Sequence, residues 1–383
     1  MQDIVDSVIQ PSFVHPEPDV ARFLRPGDTV IWGQSYAEPS TLIRLLAAQR
    51  HRIGGRIRIY LGIGLGSQLE PVHADCFDLL SYCGTGSNRS LVEAGVLDIL
   101  PSHYSQLPRL MRSGSLCTDV VMLQVSPPDP LGRYSLGMAR EYLVDALACA
   151  RCVLGEVNPE VPWTHGGPYL KAADFALLVD ADPEDRHWPD DVDAIPGSVE
   201  STIAGHVAGW VEDGATLQAG IGVLPDAILA QLGDRRELGI HSGSLGEGVA
   251  RLQEAGVITN SCKGIDAGVT IGGVMIGGSR LRRFAHQNPA IELRGTDYVH
   301  NPRVLGSFER FVAINSAVEV DLTGQINSEL AGGRYAGALG GIADFLRAAL
   351  HSRSGVPIVA LPSTAGRRSR IVALLSGPVT VSR

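Results

Sequence analysis

Cysteine is scarce in this chain, aromatic residues make up only 5% of it, and no apolar run approaches the length of a membrane span. Six cysteines in 383 residues exclude a disulfide scaffold. The pair in Cys149-Ala150-Arg151-Cys152 has no second CxxC to complete a metal knuckle and reads as buried or semi-buried thiols. Without about 18 consecutive apolar residues, no transmembrane helix is expected. The opening stretch "MQDIVDSVIQPSFVHPEPDV" carries acids and prolines but no apolar h-region, so no secretory leader is read there and the cytoplasm is the expected compartment. The eleven histidines never stand in HxxxH or HExxH spacing, so no metal centre is expected. There is no GxSxG string, which leaves a serine-hydrolase elbow unsupported. Basic residues are scattered and the formal net charge is −9, so no nucleic-acid footprint is expected. "GRRSR", Gly366 to Arg370, is a local exception: a solvated turn, or a contact for a phosphate.

What the chain has in abundance is glycine, 45 residues, together with 44% hydrophobic and 19% charged residues. That composition is globular, and the length suits about two domains. Apolar runs without alternation predict strands over 28–33, 57–64, 117–126, 152–157 and 175–181, then over 215–221, 238–241, 268–276, 311–321 and 356–361. Helical spacing lies between them, over 38–50, 140–150, 199–211, 225–232, 247–255 and 341–351. Continuous apolar strands alternating with helices predict an α/β fold whose parallel strands are covered on both faces. The polar stretch from Asp182 to Gly197 is the natural linker and divides the chain into expected domains 1–190 and 191–383. The halves echo each other. "PGDTVIWGQSYAEPSTLI" (Pro26 to Ile43) and "EDGATLQAGIGVLPDAIL" (Glu212 to Leu229) each run strand, glycine, loop, then a proline opening a helix.

Three glycine loops could hold a ligand. Gly220-Ile221-Gly222 follows a strand and precedes a helix, where free N–H groups favour an anion, although the full dinucleotide fingerprint is missing. Gly268 to Gly278 reads equally as a tightly packed strand pair. Gly340 and Gly341 precede a helix with Asp344 in its first turn. They read either as a plain helix entry or as backbone donors for a developing oxyanion.

Several strings, taken in order, resemble the acetyl-CoA hydrolase/transferase family, which includes acetate, butyrate and 4-hydroxybutyrate CoA-transferases. They are "LQVSPPDPLGRYSLG" (Leu123 to Gly137), "GEVNPEVPWTHG" (Gly155 to Gly166), "LQAGIGVLPDAI" (Leu217 to Ile228), "LGIHSG" (Leu238 to Gly243), "GVITNSCKG" (Gly256 to Gly264) and "AINSAVEVDLTGQIN" (Ala313 to Asn327). The resemblance implies two similar α/β domains with the CoA thioester in the cleft between them. It also implies a homodimer, with acyl-CoA as substrate, a small acceptor and no permanently bound cofactor. Transferases of the family work by a covalent relay. A glutamate attacks the acyl-CoA, CoA passes onto it as a thioester, and a second carboxylate takes the CoA. That glutamate sits two residues after the histidine of a GIH-[ST]-E string. Here the string is Gly239-Ile240-His241-Ser242-Gly243, so the nucleophile slot falls on Gly243. The family's SGxGGQ loop reads Gly337-Ala338-Leu339-Gly340-Gly341-Ile342, keeping only the glycine pair. A further C-terminal segment with a VVTE-G-A string is also implied and is not among these residues.

Without that carboxylate, water or a small acceptor would attack the acyl carbonyl directly, which calls for a base and an oxyanion site. Glu247 is the nearest acid. It is either a displaced nucleophile one turn deeper or an ordinary first-turn acid. His241 is either the base or structural, and Ser242 and Ser244 are weaker nucleophile candidates. Lys263, from the "TN-K" string, leads the candidates for the CoA phosphates, ahead of Arg280, Arg282, Arg367 and Arg368. Three readings follow. The first is an acyl-CoA enzyme working by direct hydrolysis, acyl transfer or C–C cleavage. The second is an ordinary transferase using Glu247. The third is a CoA-thioester-binding protein without catalysis.

Overall fold

Two parallel β-sheets carry the chain, one between Thr29 and Asp180 and the other between Thr216 and Val359. The computed structural model describes residues 17–383 apart from 67, 186–187, 189–195, 376, 378 and 380–383. The expected domain boundary between 190 and 191 lies outside the described residues, as does most of the N-terminal stretch read for a leader.

In the first sheet, β1 Thr29–Trp32, β2 Ile57–Leu61, β3 Phe77–Ser81, β4 Leu97–Ile99, β5 Val120–Val125, β6 Cys152–Val157 and β7 Leu177–Asp180 stand in the order 4-3-2-1-5-6-7. In the second, β8 Thr216–Ala219, β9 Gly239–Leu245, β10 Thr270–Met275, β11 Ile291–Leu293, β12 Phe311–Asn315 and β13 Val356–Val359 stand in the order 11-10-9-8-12-13. Counted within each sheet, the second reads 4-3-2-1-5-6 and the first reads the same with a seventh strand added, so the echo between the halves is a repeated topology. Parallel neighbours need crossovers; among the principal helices α1 Ser40–Gln49, α2 Glu141–Cys149, α3 Ser198–Ala208, α4 Val223–Ala230, α5 Glu247–Glu254, α6 Ser279–Ala285 and α7 Ile342–His351, all but α3, which leads from the first sheet to the second, lie in such connections. β5 and β10 are buried along their whole length, as strands covered on both faces must be. α7 buries Ile342, Phe345, Leu346 and Ala349 against Ile271 and Phe311, a helical stripe that closes the second core.

Three strands of these two sheets escaped the apolar-run reading. β3, β4 and β11 are short and lie toward the sheet edge, where alternation with exposed or half-buried residues replaces continuous apolarity. The run 311–321 divides. Its main strand stops at Asn315, and Glu319–Asp321 joins a small separate sheet. Asp321 accepts hydrogen bonds from Thr323 and Gln325, which turns the chain back on itself. Cys149 is exposed rather than buried, because it sits at the outer end of α2. The stretch Ser242 to Leu245, beyond the strand expected over 238–241, continues β9. Its neighbour β10 carries glycines where room is short: a Cβ on Gly272 would lie 2.5 Å from Leu245 Cγ, and one on Gly273 would lie 2.9 Å from the Gly243 carbonyl.

The halves are stitched together. Arg140 N donates to Gly273 O at 2.9 Å, Tyr104 N to Gly340 O at 2.9 Å, and Gly84 N to Gly337 O at 3.0 Å. Each contact joins a residue of the first half to one of the second.

Candidate active site

A cleft of about 340 Å³ opens between the halves. From the first half it is lined by Gln34, Ile63 and Tyr82, residues just past β1, β2 and β3. From the second it is lined by Gly220, Gly243, Val274 and Asn315, at or just past the ends of β8, β9, β10 and β12. The carboxyl ends of both sheets therefore meet at one place. In the second sheet that place is the point where strand order reverses, between β8 and β12, the usual site of ligand binding in open α/β sheets.

Gly243 stands on the cleft wall in extended strand. A Cβ there would lie 3.2 Å from His300 Nε2 and 3.5 Å from Phe345 Cε2. The His300 ring thus stands close against Gly243 and lines the cleft at 4% exposure. Phe345 and Tyr104 wall that ring, with centroids 4.6 and 5.0 Å away. Its Nδ1 lies 3.4 Å from Asp344 Oδ2, within reach of an ion pair but not aligned for a hydrogen bond. Asp344 is held in turn by the backbone N–H and hydroxyl of Ser105, from the other half.

Glu141 lines the same cleft, opens α2 and is 2% exposed. Its Oε2 accepts from Tyr104 Oη at 2.6 Å and from Gln34 Nε2 at 2.7 Å. The Gln34 amide is oriented by its own carbonyl oxygen, which accepts from Tyr82 Oη and Ile63 N. Glu141 Oε1 is buried without a hydrogen-bond partner, at a cost of roughly 1–3 kcal/mol. The backbone of Glu141 is at φ 25°, a strained conformation costing on the order of 1–3 kcal/mol for a non-glycine residue. Burial pushes its carboxyl up to about 7, against the opposing pull of the Tyr104 and Gln34 donors. Glu141 and Gly243 flank the same glycine, since a Cβ on Gly273 would sit 3.6 Å from Glu141 Cβ and 2.9 Å from Gly243 O.

Of the residues singled out in the sequence, Gly243, Ser244, Gly220, Gly340 and Gly341 line the cleft. Gly222 lies outside that lining and serves as the N-cap of α4 at φ 111°. Ser242 is buried, its hydroxyl donating to Ala219 O at 2.8 Å. His241 is fully buried, with Nε2 on the Val299 carbonyl at 2.9 Å and its ring against Phe308. Burial, helped by the Lys263 charge, pulls it down to about 3, so it is a neutral packing residue.

Glu247 does not line the cleft. Its Oε1 caps the start of α6, accepting from Gly278 N at 2.7 Å and Leu281 N at 3.3 Å, while Oε2 is buried without a partner. Lys263 is a correction. It is 4% exposed and its ammonium donates to Ile240 O and Val269 O, so it braces β9 and β10 instead of offering itself to a phosphate. Arg280 pairs with Glu254 and Arg282 with Glu160, while Arg367 and Arg368 are exposed at a two-stranded hairpin. Away from the cleft, His51, Asp75 and Cys76 bring ligand atoms within 4.8 Å of one another, which spacing did not reveal. Arg50 already holds both oxygens of Asp75.

Glu141, His300, Tyr104 and Gln34 were not singled out. Glu141 stands four residues beyond the "SLG" string, but no local pattern says that a helix-opening acid is buried with one oxygen unpaired. His300 follows a single helical turn, Thr296–Val299, whose place against β9 depends on long-range packing.

Residues 13–195 match the family described as acetyl-CoA hydrolase/transferase N-terminal domain, and residues 277–383 match the corresponding C-terminal domain. The chain is 36% identical over 360 residues to 4-hydroxybutyrate coenzyme A transferase of Clostridium kluyveri, covering 92% of this chain and 83% of that one. It is 32% identical to the succinyl-CoA:cyclohexane-1-carboxylate CoA transferase of Geobacter metallireducens over 95% of this chain and 83% of that one. The crystal structure of RipA from Yersinia pestis superposes with a TM-score of 0.87 at 31% identity, covering 95% of this chain and 85% of that one.

Proposed function

Since the chain belongs to the acetyl-CoA hydrolase/transferase family and is an enzyme acting on acyl-CoA, we propose that it does so without a glutamyl-CoA relay. Gly243 takes the place of the family's glutamate. The thioester carbonyl enters the cleft beside it and is attacked directly, by water or by a small acceptor carrying a hydroxyl or amine. One observation carries this reading: a Cβ on residue 243 would stand 3.2 Å from His300 Nε2, so a side chain there requires the ring to shift. The neighbouring acid Glu247 supports it indirectly, because its carboxylate lies outside the cleft with Oε1 at the start of α6.

The reaction in its simplest form joins water to the acyl carbon and releases the free acid and CoA thiol. The test is to supply acetyl-CoA and butyryl-CoA with and without acetate, following thiol release and CoA exchange separately. Thiol release without exchange, and without a borohydride-sensitive protein thioester, is the expected result. Efficient exchange with such a thioester would restore the ordinary relay, and Glu247→Gln would then ask whether Glu247 carries it. Thermal stabilisation by CoA thioesters with no turnover would reduce the protein to a binder.

A further inference from the structure

We propose that Glu141 is the catalytic base of this cleft, its Oε1 taking the proton from the attacking nucleophile. The assignment rests on the direct-attack reading above and names the group that such an attack requires.

Three features of Glu141 point the same way. Its carboxylate is divided: Oε2 is pinned by Tyr104 and Gln34, and Oε1 has no partner although it is buried in the wall of the cleft. Glu247 Oε2 is also buried without a partner, but Glu247 lies outside the cleft, whereas Glu141 lines it. The adjacent Arg140 is turned away, giving its guanidinium to Thr164, Ser135 and the Gly167 carbonyl. The backbone of Glu141 is held at φ 25°, and strained residues of this kind cluster where geometry serves a function. Finally, a carboxyl raised to about 7 by burial is matched to proton transfer near neutrality.

The step balances as follows. As the water oxygen bonds to the thioester carbon, Glu141 Oε1 takes its proton and the carbonyl electron pair moves to oxygen. The pair then returns, the C–S bond breaks, and the leaving thiolate takes the proton back from Glu141. The products are the free acid and CoA thiol, and Glu141 is again a carboxylate. Tyr104 and Gln34 are positioning residues, keeping Oε2 occupied so that Oε1 is the oxygen left without a partner.

The test compares wild type with Glu141→Gln and Glu141→Asp, using acetyl-CoA with water or with hydroxylamine as acceptor. Hydroxylamine is nucleophilic enough to need little help from a base. For Glu141→Gln the expected result is an ~10²–10⁴-fold fall in the hydrolytic kcat, with KM for acetyl-CoA and the melting temperature nearly unchanged. Acylation of hydroxylamine should stay within a few-fold of wild type, and Glu141→Asp should recover part of the hydrolysis. Equal loss of both reactions in Glu141→Gln would make Glu141 a merely structural residue and overturn the assignment. So would unchanged hydrolysis, or an acyl group trapped on Glu141 itself. If wild type acylates neither water nor hydroxylamine, the direct-attack reading has failed and the assignment falls with it.

Discussion

Installing a glutamate at residue 243 probes the central geometry most sharply. Gly243 is extended, so the backbone accepts any residue; the obstacle is the His300 ring. The new Cβ would meet Nε2 at 3.2 Å, tighter than comfortable contact, with the rest of the carboxylate arm still to be placed. The ring cannot simply retreat. Phe345 and Tyr104 pack against it, and Gly341 is so close that a Cβ there would lie 2.5 Å from Cε1. Gly243→Glu is therefore an overpacking change, expected to cost about 1–3 kcal/mol. His300→Ala alone leaves a cavity and should cost a similar or larger amount, on the order of 2–4 kcal/mol by analogy with other ring deletions. In the double variant the arm occupies the volume the ring has left. The two costs should then fall short of additivity by about 1–3 kcal/mol, as expected for residues that share one space. Urea unfolding of the four proteins measures this coupling, and CoA exchange with acetate measures the chemistry. The double variant, not Gly243→Glu alone, should gain exchange. Additive stabilities, or a Gly243→Glu variant as stable as wild type and active in exchange, would refute the claim that the His300 ring must shift to admit a side chain there.

Lys263→Met should leave KM for acyl-CoA within about twofold, because the ammonium serves two carbonyls and not a phosphate. It should lower the melting temperature, since buried acceptors left unpaired cost about 1–3 kcal/mol; a large rise in KM would return Lys263 to the substrate. Glu156 supplies a test by pH. It is buried, its Oε2 accepts from Leu42 N at the start of α1, and burial pushes its carboxyl up to about 8. A carboxyl raised on folding binds more protons folded than unfolded between its unfolded value and 8. Its contribution to stability is thus fully present at low pH and lost as pH rises through that window, at up to about 1.4 kcal/mol per pH unit. Glu156→Gln should therefore gain stability relative to wild type between pH 5.5 and 8.5, and melting curves at the two pH values check the sign.

The sequence by itself determined the layered architecture. Continuous apolar runs such as "VVMLQV" can only be strands buried on both faces, and the repeated strand–glycine–helix unit carries the repeated strand order. It also determined the family, through strings that remain legible because glycines and turn-forming residues such as Asp321 act locally. The single glycine where an acid was expected could be read as well, since one position in one string needs no partner to be noticed. Only the tertiary structure decided what surrounds that position. His300 lies 57 residues beyond Gly243 and Glu141 lies 102 before it, and they converge because the carboxyl ends of two sheets face one another. Burial and pairing likewise divided the acids and bases. Lys263, His241 and Glu247 have the residue types of an active site but bond backbone groups away from the cleft, whereas Glu141 lines the cleft with one oxygen unpaired. Which polar group is left without a partner depends on every neighbour that packing brings, and no local pattern of residues contains that information.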